Sequence, residues 1–353
     1  MYVWIGIDRN ENNSMWQEKM IPRLHISFPL QRQWQYWFGK QYQPREGEYM
    51  LNHARTGIVL ALRAALPHGG RVGVVAYNCH TVANAVVQAG CTPVFVDVAE
   101  QLYIDVNTLP EDLDAIVVTN LFGIHNDIAA IRKQCPKAIV IVDNAHGYGL
   151  PVEGDFAVYS INQGKFPALG SGGILYKTDE YRAKIDDLYA SLPSYGIVAQ
   201  VKLFVQMMIK AIAYSRCIYW LTMKMKKSSN PHVHQEVLMK KMAPGVRRMY
   251  EAWLPNAAAE IAKQKHNAKQ ICDLQSEIKN RQCFIGSNAF MAIVRCDDPD
   301  ALQKEFAQQG VETATHFKNA IAWAKEFGYT EGQCPTAERL TKELLMIPTY
   351  RKI

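Results

Sequence analysis

Four short apolar runs between Arg71 and Asp143 constrain this chain most: RVGVVAY, TPVFVDV, AIVVTNLFG and AIVIVD. They are rich in valine and isoleucine and lack a strict alternation of apolar and polar residues. Such runs suit strands covered on both faces. The stretches TVANAVVQAG and DIAAIRKQC lie among them and read as helices. Strand, helix, strand order at this pitch demands a mainly parallel sheet with helices on both sides, so the expected fold class is α/β.

The rest of the chain fills in around that sheet. With 353 residues, 48% hydrophobic and 20% charged, there is room for a sizeable core and two domains. Beyond Gly245, MYEAWLPNAAAEIAKQKHNAKQICDLQSEI reads as helix with a break or fresh start at Pro255. NAFMAIVRC and GVETATHF read as strands separated by the helix DPDALQKEFAQQ. The expected division is 1–245 for an N-terminal arm and a large domain, and 246–353 for a smaller α+β domain. The first 44 residues hold four tryptophans and are expected to lie as an arm over the main domain or a partner subunit.

Several function classes drop out. The N-terminus has no basic region followed by an apolar core and a cleavage site, which excludes a secretory signal. Eight cysteines, at 79, 91, 135, 217, 272, 283, 296 and 334, show no CxxC pair and no spacing typical of zinc sites or disulfide frameworks, so no metal is expected and a reducing cytoplasm is the expected setting. A net charge of +6 without a basic, aromatic-interleaved track argues against nucleic acid and leaves room for a polyanionic substrate. VKLFVQMMIKAIAYSRCIYWLTMKMKK, residues 201–227, is apolar but broken by Lys210 and Arg216, so it is not a bilayer span. A buried or subunit-facing helix pair is the preferred reading, with a weak membrane-surface association through 201–227 as the alternative.

In parallel sheets of this kind ligands sit beyond the carboxyl ends of the strands, which directs attention to Tyr77-Asn78-Cys79-His80, Asn120 and Asp143-Asn144-Ala145-His146. Asp143 closes a wholly apolar strand, where an unpaired carboxylate is costly to desolvate and calls for a cation. In DFAVYSINQGKFPALGSGGILY a strand ends at Ser160, Lys165 follows five residues later, and Gly170, Gly172 and Gly173 follow that. An aspartate and a lysine so placed suit pyridoxal phosphate: the aspartate keeps the ring nitrogen protonated, and the lysine forms the imine and then moves protons. The cofactor phosphate needs hydroxyls and free N–H groups at a helix start. Arg55-Thr56-Gly57 before IVLALRAAL meets that need, with Ser160 as a second hydroxyl. Taken singly, Asp143 fits a helix N-cap, His146 a satisfied strand-end histidine, and Arg55 a structural carboxylate partner equally well.

The chain resembles the DegT/StrS family of pyridoxal-phosphate aminotransferases, in RTGIVLAL, AYNCHTVANAVVQAGCTPVFVDV, NLFGIHNDIAAI, VDNAHG, GDFAVYSINQGKFPALGSGG, GVETATHF and CPTAERLTKELLMIPTY, all in the family's order. The resemblance implies the aspartate-aminotransferase fold (fold type I), a homodimer, and amino transfer from an amino acid such as glutamate to a nucleotide-linked keto-sugar in surface-polysaccharide or amino-sugar biosynthesis. It implies Lys165 as the Schiff-base lysine, Asp143 as the pyridinium partner, His146 beside the phenolic oxygen, and Thr56 and Ser160 at the phosphate. Family dehydratases carry histidine where this chain has Lys165, which favours amino transfer. The sequence departs from the family pattern at Cys79, where an aromatic usually covers the ring, at Ser171 in the glycine cluster, and at Val246-Arg247 before Arg248-Met249. Another pyridoxal-phosphate reaction on a non-sugar substrate and a catalytically silent scaffold or regulatory protein are the alternatives.

Overall fold

Each of the four apolar runs forms a strand in the computed structural model, which describes residues 21–22, 37–38, 47–215, 218–219, 233–234 and 236–351. The large sheet takes β1 (Glu48–Leu51), β2 (Arg71–Val75), β3 (Thr92–Val96), β4 (Ala115–Thr119), β5 (Ile139–Asn144), β6 (Phe156–Ser160) and β7 (Gly173–Lys177), in the order β1-β7-β6-β5-β4-β2-β3. The pairs from β3 through β6 are parallel, and β7 runs antiparallel to both of its neighbours. Helices α1 (Ala54–Ala65), α2 (His80–Gln88), α3 (Ile128–Gln134) and α4 (Arg182–Ser191) cover it.

Alternate residues of the central strands feed two separate cores, as the absence of polar alternation requires. Val72, Val74, Ala115, Val117, Ile141 and Val158 pack with Ile58, Leu62 and Ile185 on one face. Ile116, Val118, Val140, Val142 and Tyr159 pack with Met249 and Trp253 on the other.

Past the sheet lie α5 (Ile197–Ala213), α6 (Pro244–Trp253) and α7 (Ala257–Ser276); the change of helix at Pro255 falls where the sequence predicts it. A second, antiparallel sheet has β8 (Gln282–Ile285), β9 (Met291–Arg295) and β10 (Leu344–Pro348) in the order β10-β9-β8. Helices α8 (Pro299–Gln308), α9 (Ala320–Lys325) and α10 (Pro335–Glu343) accompany it.

Three expectations change. GVETATHF is not a strand: only Val311 and Ala314 make isolated bridges, to Ile21 and Met346, and the left-handed backbone at Phe317 turns the chain away. Cys272 on α7 and Cys283 on β8 form a disulfide, because the helix lies against that strand, a proximity their spacing in sequence does not advertise. Of the two readings of α5, buried or subunit-facing, the buried one falls away: Met207 alone is fully covered, and the outer face is apolar and exposed in the single chain. The remainder of the expected helix pair, like most of the N-terminal arm, lies outside the described residues. Of the arm, Trp37 is described and buried, and its ring lies where a side chain at Gly245 would have to go.

Candidate active site

The carboxyl ends of β2, β4 and β5 meet, and their closing residues join in one polar chain. Asn78 Nδ2 donates to Thr119 Oγ1 (2.9 Å), and the Thr119 hydroxyl reaches Asp143 Oδ2 at 3.5 Å. Asp143 Oδ1 accepts from the Ala145 N–H at 2.9 Å. This carboxylate is 3% exposed, and burial pushes it above the ordinary range despite the Ala145 bond, Lys165 and Thr119, which pull it down.

Three residues on, His146 is also buried. Its Nδ1 accepts from the Phe122 N–H at 3.3 Å, and its Nε2 lies 2.6 Å from Lys165 Nζ. Burial first, then the lysine charge, lowers the imidazole well below its usual range, so it is neutral. The Phe122 N–H thus holds one ring nitrogen while the other makes the short contact to the Lys165 amine, and the two together set the ring's orientation. Phe122, Phe290 and Phe317 stack against the His146 ring with centroids 5.2, 5.4 and 6.0 Å away. The ring is thus fixed in an apolar sleeve that excludes water.

Lys165 is held by the loop joining β6 to β7. Its N–H donates to Asn162 O, Leu169 N–H to Ile161 O, and Gly172 N–H to Asn52 O. Gly172 has φ +121°, open to glycine alone at no cost. At Gly173 a Cβ would lie 2.3 Å from the backbone of His53 and Ala54, so the missing side chain lets the strand touch the start of α1.

The phosphate-binding expectations sit around that helix start with differing freedom. Thr56 is fully buried and its hydroxyl already donates to Asn52 Oδ1 at 2.8 Å. Ser160 Oγ accepts weakly from Asn162 N–H at 3.4 Å. Arg55 keeps a buried Nε without a partner, as does Gln163 at its Nε2, and burial lowers the Arg55 guanidinium from its usual range. His53, before α1, faces Asn162 at 3.5 Å and is held down to about 4 by burial and by Arg55 and Lys210. Asp143, His146 and Lys165 are therefore brought into one cluster, with Arg55, Thr56 and Ser160 at the adjoining helix start and strand end.

Other participants carried no assigned role in the sequence. Phe122 stands after β4 in NLFG, and its stacking on His146 follows from a left-handed φ of 52°. Asn288, from the loop between β8 and β9, donates to the carbonyls of His146 (2.9 Å) and Tyr148 (3.2 Å). Nothing in local sequence pattern signals so distant a partner. Where an aromatic would cover a cofactor ring, Cys79 precedes α2 and accepts from the Thr81 hydroxyl, and His80 packs edge-on to Trp323.

Comparison with known proteins places the chain in a family and matches its fold. A sequence model described as the DegT/DnrJ/EryC1/StrS aminotransferase family matches residues 49–226 and 252–353. A pleiotropic regulatory protein of Geobacillus stearothermophilus is 24% identical over 318 residues, 84% of this chain and 78% of its own length. Among solved structures, the sugar aminotransferase CalS13 from Micromonospora echinospora superposes with a TM-score of 0.69 at 16% identity, covering 94% of this chain and 95% of that one. DesI, crystallised in the presence of its TDP-sugar product, superposes with a TM-score of 0.66 at 18% identity, covering 86% of this chain and 75% of that one.

Proposed function

Because the chain belongs to the DegT/DnrJ/EryC1/StrS aminotransferase family, whose aminotransferases use pyridoxal phosphate, we propose that the Asp143, His146 and Lys165 cluster moves an amino group from an amino acid, glutamate in the first instance, onto a nucleotide-linked keto-sugar. The observation that carries this reading is the Asp143 carboxylate: it is buried, held by the Ala145 N–H and a long contact from Thr119, and at the end of a strand beside Lys165 and His146.

The residues present fit the cofactor. A protonated ring nitrogen supplies the cation that Asp143 lacks, and the partnerless Nε of Arg55 and Nε2 of Gln163 are donors of the kind that an anionic phosphate satisfies. When bound, pyridoxal phosphate supplies an electron sink for negative charge at the substrate's amino carbon. Asp143 holds the proton at the ring nitrogen. His146 orients Lys165 through Nε2, and Lys165 Nζ carries the proton to and from the substrate carbon. The sleeve of Phe122, Phe290 and Phe317 keeps water from competing.

The nucleotide-sugar assignment draws on the chain's excess of positive charge and on DesI, whose structure was obtained with a TDP-sugar product. The reading extends to a cytoplasmic homodimer serving surface-polysaccharide or amino-sugar synthesis. A regulatory protein that has lost turnover is the second reading, favoured by the name of the Geobacillus relative and by Cys79 in place of a covering aromatic.

Borohydride reduction of the protein loaded with pyridoxal phosphate tests the assignment. Mass spectrometry should find the cofactor on Lys165, and Lys165→Ala should lose both this adduct and, by about a thousandfold or more, the conversion of glutamate to its keto acid. A wild-type protein that takes up no cofactor overturns the enzyme reading.

A further inference from the structure

Helix α5 turns an aliphatic stripe to solvent. Val198, Val201, Val205, Ile209 and Ile212 follow one another at helical spacing on its outer face, with Val198 83% and Ile209 60% exposed. Ile197, 81% exposed, extends the apolar surface at the first residue, and Phe38, exposed and edge-on to Phe204, adds to it at the side. The inner face, through Met207, Leu203 and Phe204, already packs on the main core. This helix is therefore apolar on both sides, and its outer side has no cover among the described residues.

Charge identifies the occupant. Beside the stripe runs a second row, Lys202, Gln206 and Lys210, spaced four residues apart. The sequence contains no aspartate or glutamate between Asp187 and Glu236, while Lys202, Lys210, Arg216, Lys224, Lys226 and Lys227 all fall in that interval. A second copy docked across a twofold axis on this helix would set lysine near lysine with no acid of the helix to pair it. Phospholipid headgroups of negative charge satisfy both rows at once: the stripe enters the acyl boundary, and the lysine stems lie along it with their ammonium groups in the headgroup layer. No helix among the described residues is long and apolar enough to cross a membrane, so the helix lies in the plane of the surface.

We propose that α5 docks this protein onto an anionic bilayer, presenting the enzyme to substrates or products held there. The proposal stands independently of the chemistry at Lys165, and none of the stripe residues belongs to the Asp143, His146 and Lys165 cluster.

The full-length protein is sedimented with vesicles of phosphatidylcholine alone or mixed with phosphatidylglycerol, at low and high salt. Wild type should bind the mixed vesicles, lose binding in salt, and ignore phosphatidylcholine alone. Val205→Ser with Ile209→Ser should abolish binding, and each of Lys202→Gln and Lys210→Gln should weaken it about fivefold. Far-ultraviolet circular dichroism and the borohydride adduct at Lys165 verify that the variants remain folded. Absence of wild-type binding to any vesicle, or binding unchanged by the serine pair, overturns the proposal. So does a sedimentation-velocity dimer that the serine pair dissociates, because a second copy then covers the stripe.

Discussion

At the residue scale the site turns on one buried carboxylate. Since burial raises Asp143 above the ordinary range, the folded apoprotein binds its proton more readily than the unfolded chain does, and stability falls as pH rises through that range. Asp143→Asn removes this burden while keeping an oxygen for the Ala145 N–H. The apoprotein melting temperature at neutral pH should stay level or rise by roughly 2 °C, and the gain on adding pyridoxal phosphate should largely vanish, as differential scanning fluorimetry will show. His53 acts in the opposite sense. It titrates near 6.5 in the unfolded chain and about 4 when folded, so the unfolded chain takes up protons first and stability is lost as pH falls from about 6.5 toward 4. His53→Gln should flatten that part of the melting-temperature profile. The sequence singles out Asp143 and Lys165 as candidates because apolar residues precede the first and glycines follow the second. It says nothing of Thr119 or Phe122, whose roles depend on strand ends coming together from different parts of the chain.

At the element scale the strands were readable because valine and isoleucine runs report burial on both faces directly. The GVETATHF segment, with one valine, no isoleucine and four polar side chains, lacks that signal and pairs only at Val311 and Ala314. The disulfide between α7 and β8 was invisible for a related reason: which cysteines meet is decided by how the helix crosses the strand. Closing so short a loop contributes on the order of 3 kcal/mol by restricting the unfolded chain. Cys272→Ser should therefore lower the denaturation midpoint, and dithiothreitol should lower that of the wild type but leave the variant unmoved.

At the scale of the whole molecule, the second sheet reaches into the site through one loop. Ser287 donates its backbone N–H and its hydroxyl to the Gly123 carbonyl, and Asn288 ties the carbonyls of His146 and Tyr148. A side chain at Gly286 would strike the backbone of Phe122 and Gly123. Asn288→Ala leaves two buried carbonyls short of a donor, at a cost of roughly 1–3 kcal/mol. Chemical denaturation should register that loss, and stopped-flow half-reactions with glutamate should slow as His146 loses its register. The sheet order has a further consequence, for synthesis on the ribosome. Strand β1 pairs with β7, Glu48 opposite Tyr176 and Leu51 opposite Gly173, and takes a bridge from Leu51 to Lys241, so these partners emerge more than a hundred residues later. Until then β1 is an unpaired edge exposed to other nascent chains. Pairing of β1 with β7 sets the end of the Lys165 loop against the start of α1, so sealing of the nascent sheet and assembly of the candidate site should fall together, late in the birth of the protein.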